Sequence, residues 1–401
     1  MGVPRLNLRS DQPDFLDLPW ERSIVEWDPD RLADLPTGIH RHEIVFVPYA
    51  EAIFAIKELP LAAARNEYRV LRDLEERGAP VVQSVGMVER PWIHPSEEAA
   101  AAVITRYLEH AFSYRELLSG SGFGPRRTQL LDGFAGLLVE LHLAGCFWGD
   151  CSLSNVLYRY DGPAIDVTMV DGETAQLHEE LTRGQRLEDL EIMIENVAGG
   201  MADIAAENGA DLDQADLELG EDITERYHGL WAELGQEVVI GRDERYRLSA
   251  RIERLHQLGF HVSDVELEPV AGGDRLRLKV RVGGRNYHAD RLRELTGIDA
   301  TENQARQLLA DLQYSEARSD GALPSGKALA AIRWRVGVFE PMLARIAAEV
   351  GDRLDPLQGY ADFLHHRFVM ATGMGRDVDN EEAFADWVAR GHPGYPLEDG
   401  G

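Results

Sequence analysis

An aspartate and an asparagine stand five positions apart in the segment WGDCSLSN, which follows an apolar stretch and precedes a β-rich one. They are Asp150 and Asn155. A carboxylate in such a loop can orient or deprotonate an acceptor hydroxyl, and an amide oxygen beside a second carboxylate suits Mg²⁺. Taken alone, the spacing is equally typical of a polar turn with side-chain-to-backbone hydrogen bonds.

Further residues, in a consistent order along the chain, indicate phosphoryl transfer from ATP. This reaction needs a cation on the phosphates, a group that holds the cation, metal ligands and a residue that orients the acceptor. Lys57 closes the β-rich run IFAIK, and Glu67 can pair with its ammonium from the next helix. Asp171 lies in MVDGETA, where Glu173 is either another metal ligand or a loop cap. We therefore expect Asp150 to act as the base.

Hydrophobic patterning predicts the elements that would position these side chains. Strands are predicted at Glu43–Val47, at Ala52–Lys57, in VVQSVGMVER and in AAVITRYLEH, and helices over residues 62–78 and 127–142. A hairpin over VLYRY and AIDVTMVD, with Asp161 and Gly162 in its turn, would bring Asn155 and Asp171 side by side.

The rest of the chain divides near residue 240. Residues 1–25 are polar with prolines and indicate an N-terminal arm, whereas residues 184–235 are mostly helical in pattern. After residue 240 comes an amphipathic helix, then a hairpin in HVSDVELEPV and RLRLKVRVGG, then several helices. We therefore expect a second domain that is mostly helical and carries one hairpin.

Composition excludes some classes of protein. Of the 401 residues, 44% are hydrophobic and 28% charged, which is a globular composition. The net charge of −29 disfavours nucleic acid and anionic membranes as partners. No apolar run is long enough to span a bilayer, and the N-terminal segment has no apolar signal core. With only two cysteines, a cytoplasmic location is expected.

The order of these segments resembles the protein-kinase-like superfamily, and within it the lipopolysaccharide (Kdo) kinase-like branch of atypical bacterial kinases. FAIKE resembles the lysine strand, NEYRVLRDLEERG the glutamate helix, WGDCSLSN the catalytic loop and MVDGETA the metal segment. The resemblance implies ATP and Mg²⁺ as cofactors, with Asn155 and Asp171 as metal ligands. It also implies that Arg106, Tyr107 and Leu108 form a hinge that offers backbone groups to adenine, and that Gly38 lies in the phosphate-covering loop.

The resemblance also implies an α+β fold: a bilobal kinase-like domain followed by a smaller, mostly helical α/β domain. We expect an arm at 1–25, an N-lobe at 26–110, a C-lobe at 111–240 and a C-terminal domain at 241–401. The last resembles an uncharacterised domain that accompanies kinase-like domains, through DATENQARQLLADL, FEPMLARI and HHRF. That likeness implies no chemistry.

The predicted function is transfer of the γ-phosphoryl group to a hydroxyl of a sugar, another small molecule or a protein. The alternative is a nucleotide-binding pseudokinase that acts as a regulatory scaffold, because the covering loop PTGIHRHEIVF has a single glycine and the metal segment reads Asp-Gly-Glu. Transfer of the nucleotide itself is a third possibility. The sequence does not identify the acceptor.

Overall fold

The computed structural model describes residues 2–35, 42–117, 126–209, 211, 214–241, 243–270, 275–318 and 326–395. The chain forms two compact units. The first comprises Met1–Gly124, Leu131–Tyr158 and Val167–Ala232, and the second Pro125–Leu130, Arg159–Asp166 and Glu233–Gly401. The largest segment of the second unit thus begins at Glu233, and the unit also includes the middle of the predicted hairpin at residues 159–166.

A twisted antiparallel sheet dominates the first part of the first unit. Its strands are β1 (Arg5–Leu8), β2 (Ile44–Pro48), β3 (Ile53–Leu59), β4 (Ser84–Glu89) and β5 (Ala101–Arg106). Within the described residues their order is β1-β4-β5-β3-β2. Helix α1 (Leu61–Glu76) packs on one face through Ala64 and Tyr68, which contact Leu59 and Val103 of the sheet. The predicted strands and helix of this region are therefore present.

The N-terminal residues are part of this sheet and its core, so the expectation of an arm at 1–25 is wrong. Strand β1 pairs with β4. Phe15, Trp20 and Ile24 are buried with Phe54 on the face opposite α1. These apolar residues follow no regular period and are separated by prolines and acids, so the patterning did not reveal them. The other boundaries of the predicted domains stay predictions.

The rest of the first unit is mainly helical around the loops that carry the candidate site. Its elements, with the hairpin that enters the second unit, are α2 (Tyr114–Leu117), α3 (Arg127–Leu143), β6 (Cys146–Phe147), β7 (Val156–Asp161), β8 (Ala164–Met169), β9 (Gln176–Leu177), α4 (Arg183–Asn208), α5 (Gln214–Leu217) and α6 (Leu219–Leu234). Strands β6 and β9 pair antiparallel. This pairing joins the two ends of segment 148–175, which contains Asp150, Asn155 and Asp171.

The second unit combines a small sheet with a helical layer. Its elements are β10 (Val238–Gly241), α7 (Arg245–Gln257), β11 (Val262–Pro269), β12 (Arg275–Val282), α8 (Tyr287–Thr296), α9 (Glu302–Arg318), α10 (Lys327–Trp334), α11 (Glu340–Val350), α12 (Pro356–Met374) and α13 (Asn380–Ala389). The sheet order is β10-β12-β11 in the part of the chain that the structure describes. Aromatic residues such as Trp334, Phe363 and Trp387 fill the helical core.

The predicted α+β class is confirmed: a mixed helix-and-sheet region is followed by a mostly helical region with a hairpin. In the described ranges, none of the helices combines the length and the apolar character that crossing a bilayer requires.

Candidate functional site

The site is organised around the ammonium group of Lys57. Side chains alternate along a strand, so Phe54 and Ile56 point into the core opposite α1 while Lys57 points toward α1. There its Nζ lies 2.8 Å from Oε2 of Glu67. The same Nζ lies 2.7 Å from Oδ2 of Asp171, which is 114 residues away in the sequence. The predicted Lys57–Glu67 pair is thus present, and Asp171 is a second carboxylate in contact with the same ammonium group.

The pKa values of Lys57 and Glu67 are both raised, but for different reasons. Burial opposes the charge on Lys57, but the attraction of Glu67 and Asp171 outweighs it and raises the pKa of Lys57. Burial raises the pKa of Glu67 to about 8, because the attraction of Lys57 only partly offsets it and Asp171 and Glu173 add repulsion. Several carboxylates therefore crowd a single ammonium, an arrangement that an additional cation would relieve.

Three carboxylates form a cluster that fits a divalent metal. Oxygen atoms of Glu67, Asp171 and Glu173 all lie within 4.8 Å of one another. Mg²⁺ prefers oxygen ligands and is usually held by one or two carboxylates. Asn66, one residue before Glu67, steadies the segment by donating hydrogen bonds to the carbonyl oxygens of Glu173 at 2.9 Å and Ala175 at 3.0 Å.

The side chain of Asn155 is directed to Asp150. Its Nδ2 donates to the Asp150 carbonyl at 3.0 Å and to Oδ2 of the Asp150 carboxylate at 3.1 Å. The hairpin nevertheless brings Asn155 beside the metal segment, since the Val170 N–H donates to the Asn155 carbonyl at 3.0 Å. In place of Asn155, Glu67 shares the carboxylate cluster with Asp171 and Glu173.

A second amide holds Asp150 from the other side. Asn196, on α4, donates from Nδ2 to Oδ1 of Asp150 at 3.1 Å and to the Cys151 carbonyl at 3.2 Å. Each oxygen of the Asp150 carboxylate therefore accepts from one asparagine. This fixes the plane of the carboxylate, as a group that orients a substrate hydroxyl requires.

The backbone of the loop is anchored by a buried carboxylate, that of Asp189 on α4. Its Oδ2 accepts from the Trp148 N–H at 2.7 Å and its Oδ1 from the Gly149 N–H at 2.8 Å. His142 Nε2 lies 3.1 Å from Oδ2, and burial lowers the pKa of this histidine despite that contact. Gly149 has a φ of +75°, which favours glycine.

Trp148 connects this loop to the metal segment. Its indole Nε1 donates to the Asp171 carbonyl at 3.0 Å, and its ring stacks on Phe134 with the centroids 6.4 Å apart. Thr174 donates from Oγ1 to the Trp148 carbonyl at 2.9 Å. The two loops are thus joined by hydrogen bonds in both directions.

The predicted hinge follows β5. Arg106 ends the strand with an exposed side chain, and Leu108 is half-buried. The Tyr107 N–H donates to the Ile53 carbonyl at 2.9 Å, so that donor already serves the sheet. Gly38, the predicted phosphate-loop residue, lies outside the described residues.

Three residues that hold the site were missed by sequence reasoning: Asn66, Asp189 and Asn196. A signal existed for Asp189, which shares a buried helical face with Met193 and Val197 at intervals of four residues. An acid within an apolar stripe is unusual, since buried charges are paired or hydrogen-bonded. Asn66 and Asn196 have no comparable signal, because an amide on a helix is ordinary.

Comparisons with known proteins agree with the resemblance expected from the sequence. A kinase-like region is defined by the five-stranded sheet, the Lys57–Glu67 pair and the loops that follow. Residues 52–218 match the model of the lipopolysaccharide kinase (Kdo/WaaP) family. Residues 229–391 match the model of a domain of unknown function, DUF4032. The predicted resemblance is thus confirmed: one part of the chain is similar to the lipopolysaccharide kinase family, and the part that follows is similar to a domain of unknown function.

One solved structure with similarity is titled "WaaP in complex with acyl carrier protein". It is 18% identical, covers 63% of this chain and 98% of its own, and has a TM-score of 0.36. No curated protein matches the chain.

Proposed function

We propose that this chain is an ATP- and Mg²⁺-dependent phosphotransferase that moves the γ-phosphoryl group to a hydroxyl. The observation that carries the proposal is the double contact of Lys57 with Glu67 at 2.8 Å and Asp171 at 2.7 Å. It places a fixed cation beside a carboxylate that suits a metal, as phosphoryl transfer requires. The match to a kinase family supports the same class of reaction.

The protein groups have separate tasks in this proposal. Lys57 binds the phosphates and Glu67 fixes its direction. Asp150, held by Asn196, orients the acceptor hydroxyl and accepts its proton. The peptide groups of the hinge contact adenine, with Tyr107 offering its carbonyl because its N–H is bonded to Ile53.

The carboxylates of Asp171 and Glu173 are the proposed metal ligands. Their oxygens belong to the cluster within 4.8 Å, and the Asn155 side chain would join them by turning from Asp150. When bound, Mg²⁺ neutralises charge that develops on the transferred phosphoryl group. The Glu173 N–H donates to Oδ1 of Asp171 at 3.1 Å, which limits the rotation of that carboxylate.

The acceptor is a hydroxyl group, and we place a sugar or another small molecule ahead of a protein side chain. The name of the matched family, lipopolysaccharide kinase, is the only ground for this order. The fold alone does not define an acceptor. A cytoplasmic location remains a prediction from the cysteine content.

Thermal unfolding of the full chain with and without Mg-ATP tests the nucleotide site. At a nucleotide concentration about a hundred times Kd, binding adds roughly 2.7 kcal/mol to the free energy of unfolding, or about a few degrees in Tm. We expect this shift in the wild type and not in Asp171→Asn. The control Asp203→Asn makes the same chemical change at an exposed position on α4 and should keep the shift.

A wild type without any shift, or an equal shift in Asp171→Asn, would contradict the proposal. Turnover is the second readout. ADP formation with an accepted hydroxyl should fall to a low residual level in Asp150→Ala, while the thermal shift by Mg-ATP persists.

A nucleotide-binding pseudokinase is the second candidate, and one observation favours it. Both oxygens of the Asp150 carboxylate accept hydrogen bonds from asparagines, so Asp150 has a structural task that needs no substrate. This candidate predicts a thermal shift by Mg-ATP without ADP formation for any sugar or protein acceptor. Turnover that depends on Asp150 would exclude it.

A further inference from the structure

The hairpin of β7 and β8 carries candidate site residues at its base. Asn155 immediately precedes β7, and Asp171 follows β8 by two residues. At the base, the Val170 N–H donates to the Asn155 carbonyl at 3.0 Å. Any force that displaces one strand of this hairpin would therefore move both Asn155 and Asp171.

The tip of the hairpin belongs to the second compact unit, and its carboxylate is fully engaged there. Asp161 is 2% exposed. Its Oδ1 accepts from Thr301 Oγ1 at 2.6 Å and from the Gln304 N–H at 2.8 Å. Its Oδ2 accepts from the Asn303 N–H at 3.1 Å and from Asn303 Nδ2 at 2.8 Å. Asp161 thus caps the N-terminus of α9, although it lies far away in the sequence.

The backbone beside Asp161 is held as well. The side-chain amide of Gln358 accepts from the Gly162 N–H at 2.8 Å and donates to the Gly162 carbonyl at 3.2 Å. Gln129 Nε2 donates to the Pro163 carbonyl at 2.7 Å, and Gln304 Nε2 to the Tyr160 carbonyl at 3.2 Å. The Asp161 carboxylate and the neighbouring peptide groups named above all form hydrogen bonds. Such bonding would not be needed if the tip only covered apolar surface.

The partners of the tip lie in the region that matches the domain of unknown function, except Gln129, which lies on α3. A carboxylate at a helix N-terminus satisfies N–H groups that otherwise have no partner and interacts favourably with the helix dipole. Hydrogen bonds to a charged acceptor are about twice as strong as neutral ones. The tip is therefore fixed by bonds that resist a shift along the strand.

We propose that Asp161 is a positioning residue for the phosphotransferase site. By capping α9 it fixes the tip of the hairpin, and through the paired strands it fixes Asn155 and Asp171. The region of unknown function then has a defined task, which is to hold the metal segment in place. The assignment of Asp171 to metal rests on the proposed function, but the mechanical coupling from tip to base does not.

Hydrogen exchange of the ligand-free full chain tests the coupling directly. Asp161→Asn removes the charge and turns an amide N–H₂ toward the donors of α9. We expect the Val170 amide to exchange at least about tenfold faster, because the charged hydrogen bonds at the tip are lost. The Tyr107 amide, bonded to Ile53 within the sheet, should be unchanged.

The control is Asp379→Asn, the same change at the N-cap of α13, where Asp379 accepts from the Glu382 N–H at 2.8 Å. It should leave Val170 protected. If Asp161→Asn does not fold, Thr301→Val removes one hydrogen bond without changing shape and should act in the same direction. Faster exchange of Gly162 without any change at Val170, in either variant, would overturn the proposal.

Exchanging the two side chains provides a rescue test. Asp161→Asn combined with Asn303→Asp restores an amide-to-carboxylate pair between hairpin and helix and keeps a negative charge at the α9 N-terminus. We expect protection of Val170 to recover at least partly in the double variant. No recovery in the double variant would contradict the proposal that charged hydrogen bonds between the hairpin tip and α9 protect Val170.

Binding of a fluorescent ATP analogue then separates this inference from the proposed function. Asp161→Asn should weaken binding in the presence of Mg²⁺ by about tenfold and leave metal-free binding unchanged. A wild type whose affinity does not depend on Mg²⁺ would contradict the proposed function, while the exchange of Val170 would still decide the coupling. Equal Mg²⁺ dependence in the wild type and Asp161→Asn would contradict the positioning role.

Discussion

Asp189 accepts a 2.8 Å hydrogen bond from the backbone N–H of Gly149, a residue 40 positions earlier in the chain. The other oxygen of the same carboxylate accepts from the Trp148 N–H at 2.7 Å. Two successive peptide groups directly before Asp150 are thus fixed by one side chain that is completely buried. A residue of α4 therefore fixes the backbone conformation directly before Asp150, and with it the orientation of the Asp150 side chain.

Replacing Asp189 with asparagine should destabilise the protein. One loop N–H would face the amide N–H₂ group, and the charged acceptor would be lost from a buried site. We expect the free energy of unfolding to fall by about 2–4 kcal/mol, measured by urea denaturation. Glu195→Gln, an exposed change on the same helix, should have an effect below about 0.5 kcal/mol. Equal stability of the two variants would contradict the anchoring role.

Asn196 should affect turnover mainly through Asp150, although it also donates to the Cys151 carbonyl. It is one of the two amides that hold the Asp150 carboxylate. We expect Asn196→Ala to lower kcat by about tenfold or more, with KM for ATP unchanged, because only the acceptor's orientation is disturbed. The measurement is steady-state kinetics with an accepted hydroxyl.

A double-mutant cycle shows whether Asn196 acts only through that carboxylate. In an Asp150→Ala background, Asn196→Ala should have no further effect on residual turnover, since its partner is already absent. Independent, multiplicative losses from the two substitutions would show that Asn196 has another task.

The local elements of the kinase-like region were predictable from the sequence because each depends on its own residues. Strand β3 contains the β-rich run IFAIK, and α1 repeats apolar residues at helical spacing. Lys57 and Glu67 lie on neighbouring elements, so their pairing follows from the order of strand and helix. The structure shows the expected contact at 2.8 Å.

The residues that fix the loop were not predictable in the same way, because their partners are distant in the sequence. Asp189 follows Glu188 in QRLEDLEIM, and only its spacing from Met193 and Val197 distinguishes it from a surface acid. Its burial depends on the loop at 148–149, which packs on α4 only in the folded chain. The N-terminal core residues, such as Phe15 and Trp20, likewise depend on a sheet surface formed by later strands.

Trp148 should be required for the geometry of the metal segment. Trp148→Phe keeps an aromatic ring next to Phe134 but removes the Nε1 donor, which leaves the Asp171 carbonyl without that hydrogen bond. We expect a loss of about 2–3 kcal/mol in the free energy of unfolding, from the missing hydrogen bond and the smaller volume. We also expect a smaller thermal shift by Mg-ATP.

Trp231→Phe is the matched control, since Trp231 stacks on Tyr227 away from the candidate metal segment. It should reduce stability without changing the thermal shift by Mg-ATP. If Trp148→Phe keeps the full shift, the hydrogen bond from Trp148 to Asp171 does not help to position the metal segment.

Asp362, on α12 of the second unit, should make the free energy of unfolding depend on pH. Burial raises the pKa of Asp362 to about 7 from an ordinary value of 3.8, although Gln358 donates a hydrogen bond to it. Between these values the folded chain holds a proton that the unfolded chain has released. The stability that Asp362 contributes is therefore fully present below pH 3.8 and is lost as the pH rises to about 7.

Urea denaturation of the wild type and Asp362→Asn, from pH 5 to pH 8.5, measures this effect. We expect the stability of the wild type relative to Asp362→Asn to fall by roughly 1 kcal/mol per pH unit up to about pH 7 and to be level above it. Asparagine does not titrate, so the variant removes this contribution alone. Asp379→Asn, a change at an exposed N-cap, should leave the fall between pH 5 and 7 intact. A difference between wild type and Asp362→Asn that stays constant over this range would mean that Asp362 is ionised in the folded protein.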